Sequence, residues 1–197
     1  MPEDSRLQRR WVVEKLLADR GDRLVIAGVG STVWDCAAAG DHPLTFPLWN
    51  AMGAAAMVGL GVAVAQPARE VLVITGDGEI LMQVGALATI AAQKPKNLSI
   101  VVLDNECYFE TGAQPTHTGM GVDLTAVASG FGIGDSHLVR SEEDVIRLCG
   151  RIRQKESTLF AQVKIDPSPV PRVMPPRDGS YLKDRFRSAL LGAAAFE

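Results

Sequence analysis

Asp77 and Asn105 are the two residues whose types and settings point most directly to chemistry. Asp77 stands in Gly76-Asp77-Gly78, where an apolar β-branched run, VLVIT, stops abruptly. Asn105 follows Asp104, where a second apolar run, LSIVVL, stops. Each offers a hard oxygen. One carboxylate, one amide oxygen and a backbone carbonyl make half of an octahedral Mg²⁺ shell, normally completed by phosphate oxygens and water. Taken singly, GDG is a common turn and Asp-Asn after a strand a common cap or Asx-turn. The pairing and its spacing carry the argument.

Between the two lies a segment of helical length, Glu79 to Ala92, and a Lys-Pro-Lys-Asn break. Strand, helix and strand in succession bring the carboxyl ends of both strands to one edge of a parallel sheet. Ligands of open α/β sheets collect at that edge. Gly76 and Gly78 leave the backbone uncrowded. The first turn of the helix offers free N–H groups and a positive dipole end to an anion. These residues predict a metal-bridged phosphate site. The Glu79–Ala92 helix is apolar nearly all round, which predicts burial.

The remaining elements alternate in the same way and predict an α/β fold, a doubly wound parallel sheet with helices on both faces. A first amphipathic helix is expected over Ser5–Arg20, then a strand over Leu24–Ala27 and a turn, Gly28 to Thr32, in which Ser31 or Thr32 caps a helix reaching Ala39. The turn holds Gly28-Val29-Gly30 but no GxGxxG, so it is no dinucleotide fingerprint. Asn50 is expected to cap a small-residue helix, AMGAAAMVGLGVAVA, whose glycines suit close backbone approach. Glu106 to Gly121 is polar and glycine-bearing, a natural cover for a site. Within it Glu110, Thr111, Gln114, Thr116 and His117 are the candidates for touching a substrate, His117 only if geometry brings it within reach. Asp123–Gly130 is a short helix capped by Asp123; HLVR is a strand; Ser141 opens a helix with acidic residues in its first turn; TLFAQVKI is the last strand. The chain divides into a domain over 1–166 and a proline-rich arm with a short helix over 167–197, an arm that suits a subunit interface.

Composition bounds the function. With 197 residues, 47 % of them hydrophobic, the chain can bury a sizeable core. A net charge of −3 argues against nucleic acid as a partner. Cys36, Cys107 and Cys149 show neither metal spacing nor an even framework and suit a reducing compartment. No secretory signal or membrane-spanning run is read, so a cytoplasmic place is expected.

GDG followed some 25 to 30 residues later by an Asn at a strand end resembles the thiamine diphosphate (ThDP) binding motif. PLWNAMGAAA, GDGEILMQVGALATI and LDNECYFETGAQPTHTG resemble the diphosphate-binding domain of phosphonopyruvate and sulfopyruvate decarboxylases, over about Leu24 to Ile165. The resemblance implies that Asp77, the Asn105 side chain and the Cys107 backbone oxygen hold Mg²⁺. It implies that Gly30 and Ser31, with Gly76, Gly78, the Glu79 amide and Tyr108, line the cofactor. Met52 would be the bulky residue beneath the bent cofactor, and Asn50 would offer its carbonyl to the aminopyrimidine. Related enzymes often carry a small or hydroxylic residue at position 79, so Glu79 is a departure. The activating Glu of the family belongs to a separate pyrimidine-binding domain of roughly 150 residues, which this sequence lacks. The expectation is a hetero-oligomer in which an alpha subunit supplies that Glu, acting on a small anionic 2-oxo acid and releasing CO₂ and an aldehyde. Acyl transfer of the acetolactate-synthase kind and a non-catalytic ThDP-binding module are the alternatives.

Overall fold

A computed structural model describes residues 6–196. In chain order its strands are β1 (Leu24–Ala27), β2 (Thr45–Pro47), β3 (Val71–Gly76), β4 (Leu98–Asp104), β5 (Cys107–Tyr108), β6 (Gln114–Pro115), β7 (Asp135–Val139) and β8 (Leu159–Lys164). Six of them form one sheet in the order β2-β1-β3-β4-β8-β7, every neighbouring pair parallel, while β5 and β6 make a small antiparallel hairpin. The helices are α1 (Arg9–Leu17), α2 (Ser31–Ala38), α3 (Ala55–Ala65), α4 (Asp77–Met82), α5 (Ala86–Gln93), α6 (Leu124–Gly130), α7 (Glu142–Gln154) and α8 (Gly179–Leu191).

The expected doubly wound architecture is present, and the pattern of the strands explains it. A parallel sheet is covered on both faces, so its central strands read as continuous apolar runs. Val25, Leu72, Val101 and Ala161 face the layer of α1, α2 and α7; Leu24, Val73, Ile100 and Phe160 face the other helices. Each of these apart from Ala161 stabilises by about 1.5–3 kcal/mol on burial. The chain leaves β1 for β2 on one side and comes back to β3 on the other. The β1/β3 boundary is therefore the topological switch point, where the loops after the two strands diverge and open a crevice.

Several local expectations are corrected. The first helix is shorter, Arg9–Leu17; its expected start at Ser5 lies outside the described residues. Asn50 is not a helix cap. It sits at φ +61, a conformation asparagine tolerates, and α3 begins only at Ala55. Neither Ser31 nor Thr32 caps α2: Gly30 takes that place at φ +80, and Thr32 Oγ1 donates back to the Gly28 carbonyl. The Glu79–Ala92 helix is two helices, α4 and α5, parted at Gln83–Gly85, and α4 starts at Asp77. Nor is it buried all round; Ala86, Leu87 and Ile90 form one buried stripe, while Met82 is half exposed. The caps at Asp123 and Ser141 are present, the second as a capping box with Asp144.

The arm does not reach away from its own chain. Arg10 donates to the Pro171 carbonyl, Trp49 Nε1 to that of Pro176 at 3.2 Å, and Arg172 stacks over Trp34. Helix α8 then covers the edge strand β2, with Phe186 against Phe46 at 5.4 Å between ring centres. That hides a strand edge that would otherwise invite pairing. No helix among the described residues is long and apolar enough to cross a membrane.

Candidate active site at the carboxyl edge of the sheet

A cleft of about 280 Å³ opens at the β1/β3 switch point. Ser31 from the turn after β1, Asn50 and Met52 from the approach to α3, Gly76 to Glu79 from the end of β3, and Asn105, Cys107 and Tyr108 from the end of β4 all line it. The helix–strand spacing does bring Asp77 and Asn105 to one edge. A larger hollow, about 420 Å³, lies between β7 and α7. Its arginines are already paired, Arg147 with Glu143 and Asp144 and Arg151 with Asp135, so it makes no comparable demand for a ligand.

The floor of the cleft is a buried polar network. Asp77 is 2 % exposed and Asp104 fully buried. Thr116 Oγ1 donates to Asp77 Oδ2. Thr118 Oγ1 lies 3.0 Å from Asp77 Oδ2 and 2.7 Å from Asp104 Oδ1, so one hydroxyl proton stands between two carboxylates. Asp104 is compensated by Lys164 Nζ at 2.6 Å and by Gln162 Nε2. Lys164 also reaches Glu106 at 2.7 Å, and Arg6 holds the other oxygen of Glu106. Among the described residues no cation pairs with Asp77. Burial, and secondarily the charge of Asp104, push its carboxyl up to about 6 despite the two threonine hydroxyls.

Asn105 is nearly buried, and its Oδ1 accepts from the Cys107 amide at 3.2 Å. Asp104 Oδ1 likewise accepts from the Glu106 amide, with Glu106 at φ +62. The Asx-turn and the site geometry are thus the same structure, one shaping the other. The Cys107 thiol is pushed up by burial and by Asp77, which keeps it a thiol and leaves its backbone as the useful group. Tyr108 lies flat on Gly78: a Cβ there would meet the ring at 2.4 Å, so only glycine admits this approach.

Glu79, the departure in the motif, turns away from the cleft mouth. Its Oε2 accepts from the Val29 amide at 2.9 Å and from Thr75 Oγ1 at 2.7 Å. Glu110 and Thr111 lie on the rim, and Glu110 packs against Gly30. Gln114 and His117 are exposed and outside the cleft lining, Gln114 bonded to Thr111. Thr116 is corrected from a substrate contact to a buried partner of Asp77. Sequence reasoning assigned nothing to Asp104, Thr118, Gln162 or Lys164. The signal was there for the last two, since a glutamine and a lysine interrupt an otherwise apolar strand.

These residues fit a diphosphate bridged by a divalent cation. Asp77 is a buried carboxylate without a counter-charge, and Gly76 has open space where a side chain would stand. An oxygen-only donor set of Asp77, Asn105 and the Cys107 carbonyl is that of a hard cation. Fold and site together define an α/β domain whose switch-point cleft suits a metal-bridged diphosphate. The chain belongs to the thiamine pyrophosphate enzyme family: the model of its C-terminal TPP binding domain matches residues 28–163. It is 35 % identical to sulfopyruvate decarboxylase subunit beta of Methanothermobacter thermautotrophicus, over 95 % of this chain and 97 % of that one. It is 38 % identical to phosphonopyruvate decarboxylase of Streptomyces hygroscopicus, over 81 % of this chain but 40 % of that longer one. Benzoylformate decarboxylase of Polynucleobacter necessarius shares the fold, with a TM-score of 0.67 at 20 % identity, over 84 % of this chain and 34 % of its own.

Proposed function

We propose that this chain is the cofactor-binding subunit of a ThDP- and Mg²⁺-dependent decarboxylase of an anionic 2-oxo acid, sulfopyruvate or phosphonopyruvate, and that it works with a second chain in the cytoplasm. The observation that carries the reading is the end-to-end match to a sulfopyruvate decarboxylase beta subunit, with Asp77 and Asn105 on one cleft floor. In this reading Asp77, Asn105 and the Cys107 carbonyl hold the metal, and the Gly76–Glu79 backbone and Ser31 hold the diphosphate. Met52 and Asn50 shape the bed of the rings, and residues 1–166 form the binding domain. Bound ThDP supplies the electron sink on which the carboxylate of a 2-oxo acid departs as CO₂. This chain's part is to bind, orient and keep water out.

Two features support a partner. Met52 and Met82, which line the cleft, are half exposed or more, an apolar rim that the chain itself does not cover. And among the described residues no lysine, arginine or histidine lines the cleft, whereas Glu110 stands on its rim. A substrate with a second anionic group needs a counter-charge near it, and the partner subunit is the one to bring it, together with the activating Glu. Glu110, Thr111, Gln114 and His117 stand on the loop that would face that substrate.

The test is native mass spectrometry of the chain from its own cells in Mg²⁺, followed by CO₂ release from sulfopyruvate, phosphonopyruvate and pyruvate. The expected result is a hetero-oligomer with one ThDP per pair, active on an anionic substrate, and no turnover by the chain alone. A homo-oligomer that decarboxylates unaided would sink the split-enzyme reading. Preference for pyruvate with a hydroxy-ketone product, formed by acyl addition to a second carbonyl, would favour acyl transfer.

A further inference from the structure

A carboxylate one residue beyond the GDG turn would repel a diphosphate if it faced the cleft. Glu79 instead lies 8 % exposed, directed at the backbone behind it. Its Oε2 accepts from both the Val29 amide and the Thr75 hydroxyl. Burial raises its carboxyl, and those two donors with the nearby amides of Gly53 and Ala55 act the other way. Its Oε1 has no hydrogen-bond partner among the described residues. Gly28 makes room for it: a Cβ there would stand 2.0 Å from Glu79 Oε2.

The place in the fold gives those bonds a purpose. The Gly28 amide still joins the ladder, donating to the Ile74 carbonyl, but Val29 lies beyond it, where β1 and β3 part. Among the described residues the Val29–Glu79 bond is the hydrogen bond that ties the turn after β1 to α4. The amides of Gly53 and Ala55, on the approach to α3, stand near the same carboxylate. These are the three segments that carry Ser31, Met52 and Asp77.

We propose that Glu79 is a positioning residue, a buried brace that fixes the turn after β1 and the Met52 segment against the Asp77 helix and so shapes the cofactor cleft before the cofactor arrives. The proposal rests on the ThDP reading of the cleft. A site held in its binding geometry in advance loses less on ligand ordering.

The experiment pairs residue-resolved amide hydrogen exchange with ThDP titration in Mg²⁺, on the native assembly carrying Glu79→Leu. The leucine keeps most of the volume but removes the oxygen that accepts both bonds. Exchange at Val29, Gly53 and Ala55 should rise about tenfold and the ThDP Kd by about tenfold, the low end for lost supporting contacts. Amides in the middle of β3 and β4 should not change. Should Glu79→Leu not fold, Thr75→Val removes one bond of the brace and should move the same two readouts in the same direction, less far. Unchanged Val29 exchange overturns the brace, and so does faster exchange with unchanged ThDP affinity. A wild-type assembly that binds no ThDP overturns the cofactor reading instead, and Val29 exchange then judges the brace by itself.

Discussion

At the amino edge of the sheet, Arg23 and Glu70 are ion-paired beneath the starts of β1 and β3. The Asn97 amide lies 2.8 to 3.1 Å from the carbonyls of Ala63, Gln66 and Arg69, and Thr158 donates to that of Pro95. At the carboxyl edge, Asp77, Asp104, Thr116, Thr118, Gln162 and Lys164 are buried just as deeply. The difference is in the balance. At the amino edge each buried polar group finds its complement inside the chain and closes a loop. At the carboxyl edge Asp77 has hydroxyl donors but no cation, and it faces a cleft. Buried polar groups that cancel are architecture; a surplus of one sign beside open space is a demand for a ligand. If so, substitutions at the two edges must separate folding from binding.

The largest effect expected is on binding. Asp77→Ala should abolish Mg²⁺-dependent ThDP binding, by more than the about 100-fold that even outer-shell partners cost. It should leave the stability of the free chain within about 1 kcal/mol. Thr116 and Thr118 can still bond each other at 2.9 Å, and Asp104 loses a like charge. Calorimetric titration and a thermal melt without cofactor give the two numbers. An Asp77→Ala chain that melts far below wild type would show that this edge is architecture after all.

Lys164→Met tests a place at the carboxyl edge where charges do cancel. It strands Asp104, which is fully buried. Breaking such a pair costs about 3–5 kcal/mol, to be read by denaturant titration at neutral pH. A loss under about 1 kcal/mol would mean that Gln162 and Thr118 alone hold the Asp104 carboxylate. At the amino edge, Asn97→Ala leaves carbonyls under-satisfied and should cost about 1–3 kcal/mol, with ThDP affinity unchanged. An affinity change there would break the division between the edges.

The two edges differed just as much in how legible they were. Asp77 and Asn105 could be read because their chemistry is local: each ends an apolar run, and one helix and one strand fix their meeting. The alternation of runs likewise revealed the doubly wound sheet. What stayed hidden needed distances between remote segments. Thr116 and Thr118 looked like part of a solvent-facing loop because their contact with Asp77 spans about 40 residues of sequence. Asn50 looked like a cap because side-chain type does not report φ. The outward faces of α4 and α5 looked buried because their exposed residues Met82, Ala88 and Ala92 are apolar without facing the core. Glu79 was visible only as an anomaly; its partner, Val29, is an amide, and amides leave no mark on sequence.

The smallest effect sharpens the contrast through pH. Asp135, at the start of β7, is partly buried, which would raise its carboxyl, but bonds from Arg151, His137 and Ser157 outweigh that and hold it below 3.8. A depressed carboxylate binds protons less tightly folded than unfolded. Its contribution is therefore complete above 3.8 and is lost as pH falls through the lower folded value. Asp135→Asn should cost about 1 kcal/mol or less at neutral pH, and the gap to wild type should close on acidification. A gap that persists in acid would mean that Asp135 acts by packing and not by charge. ThDP affinity should not follow it at any pH, because the surplus charge that a metal would answer lies at the opposite end of the strands.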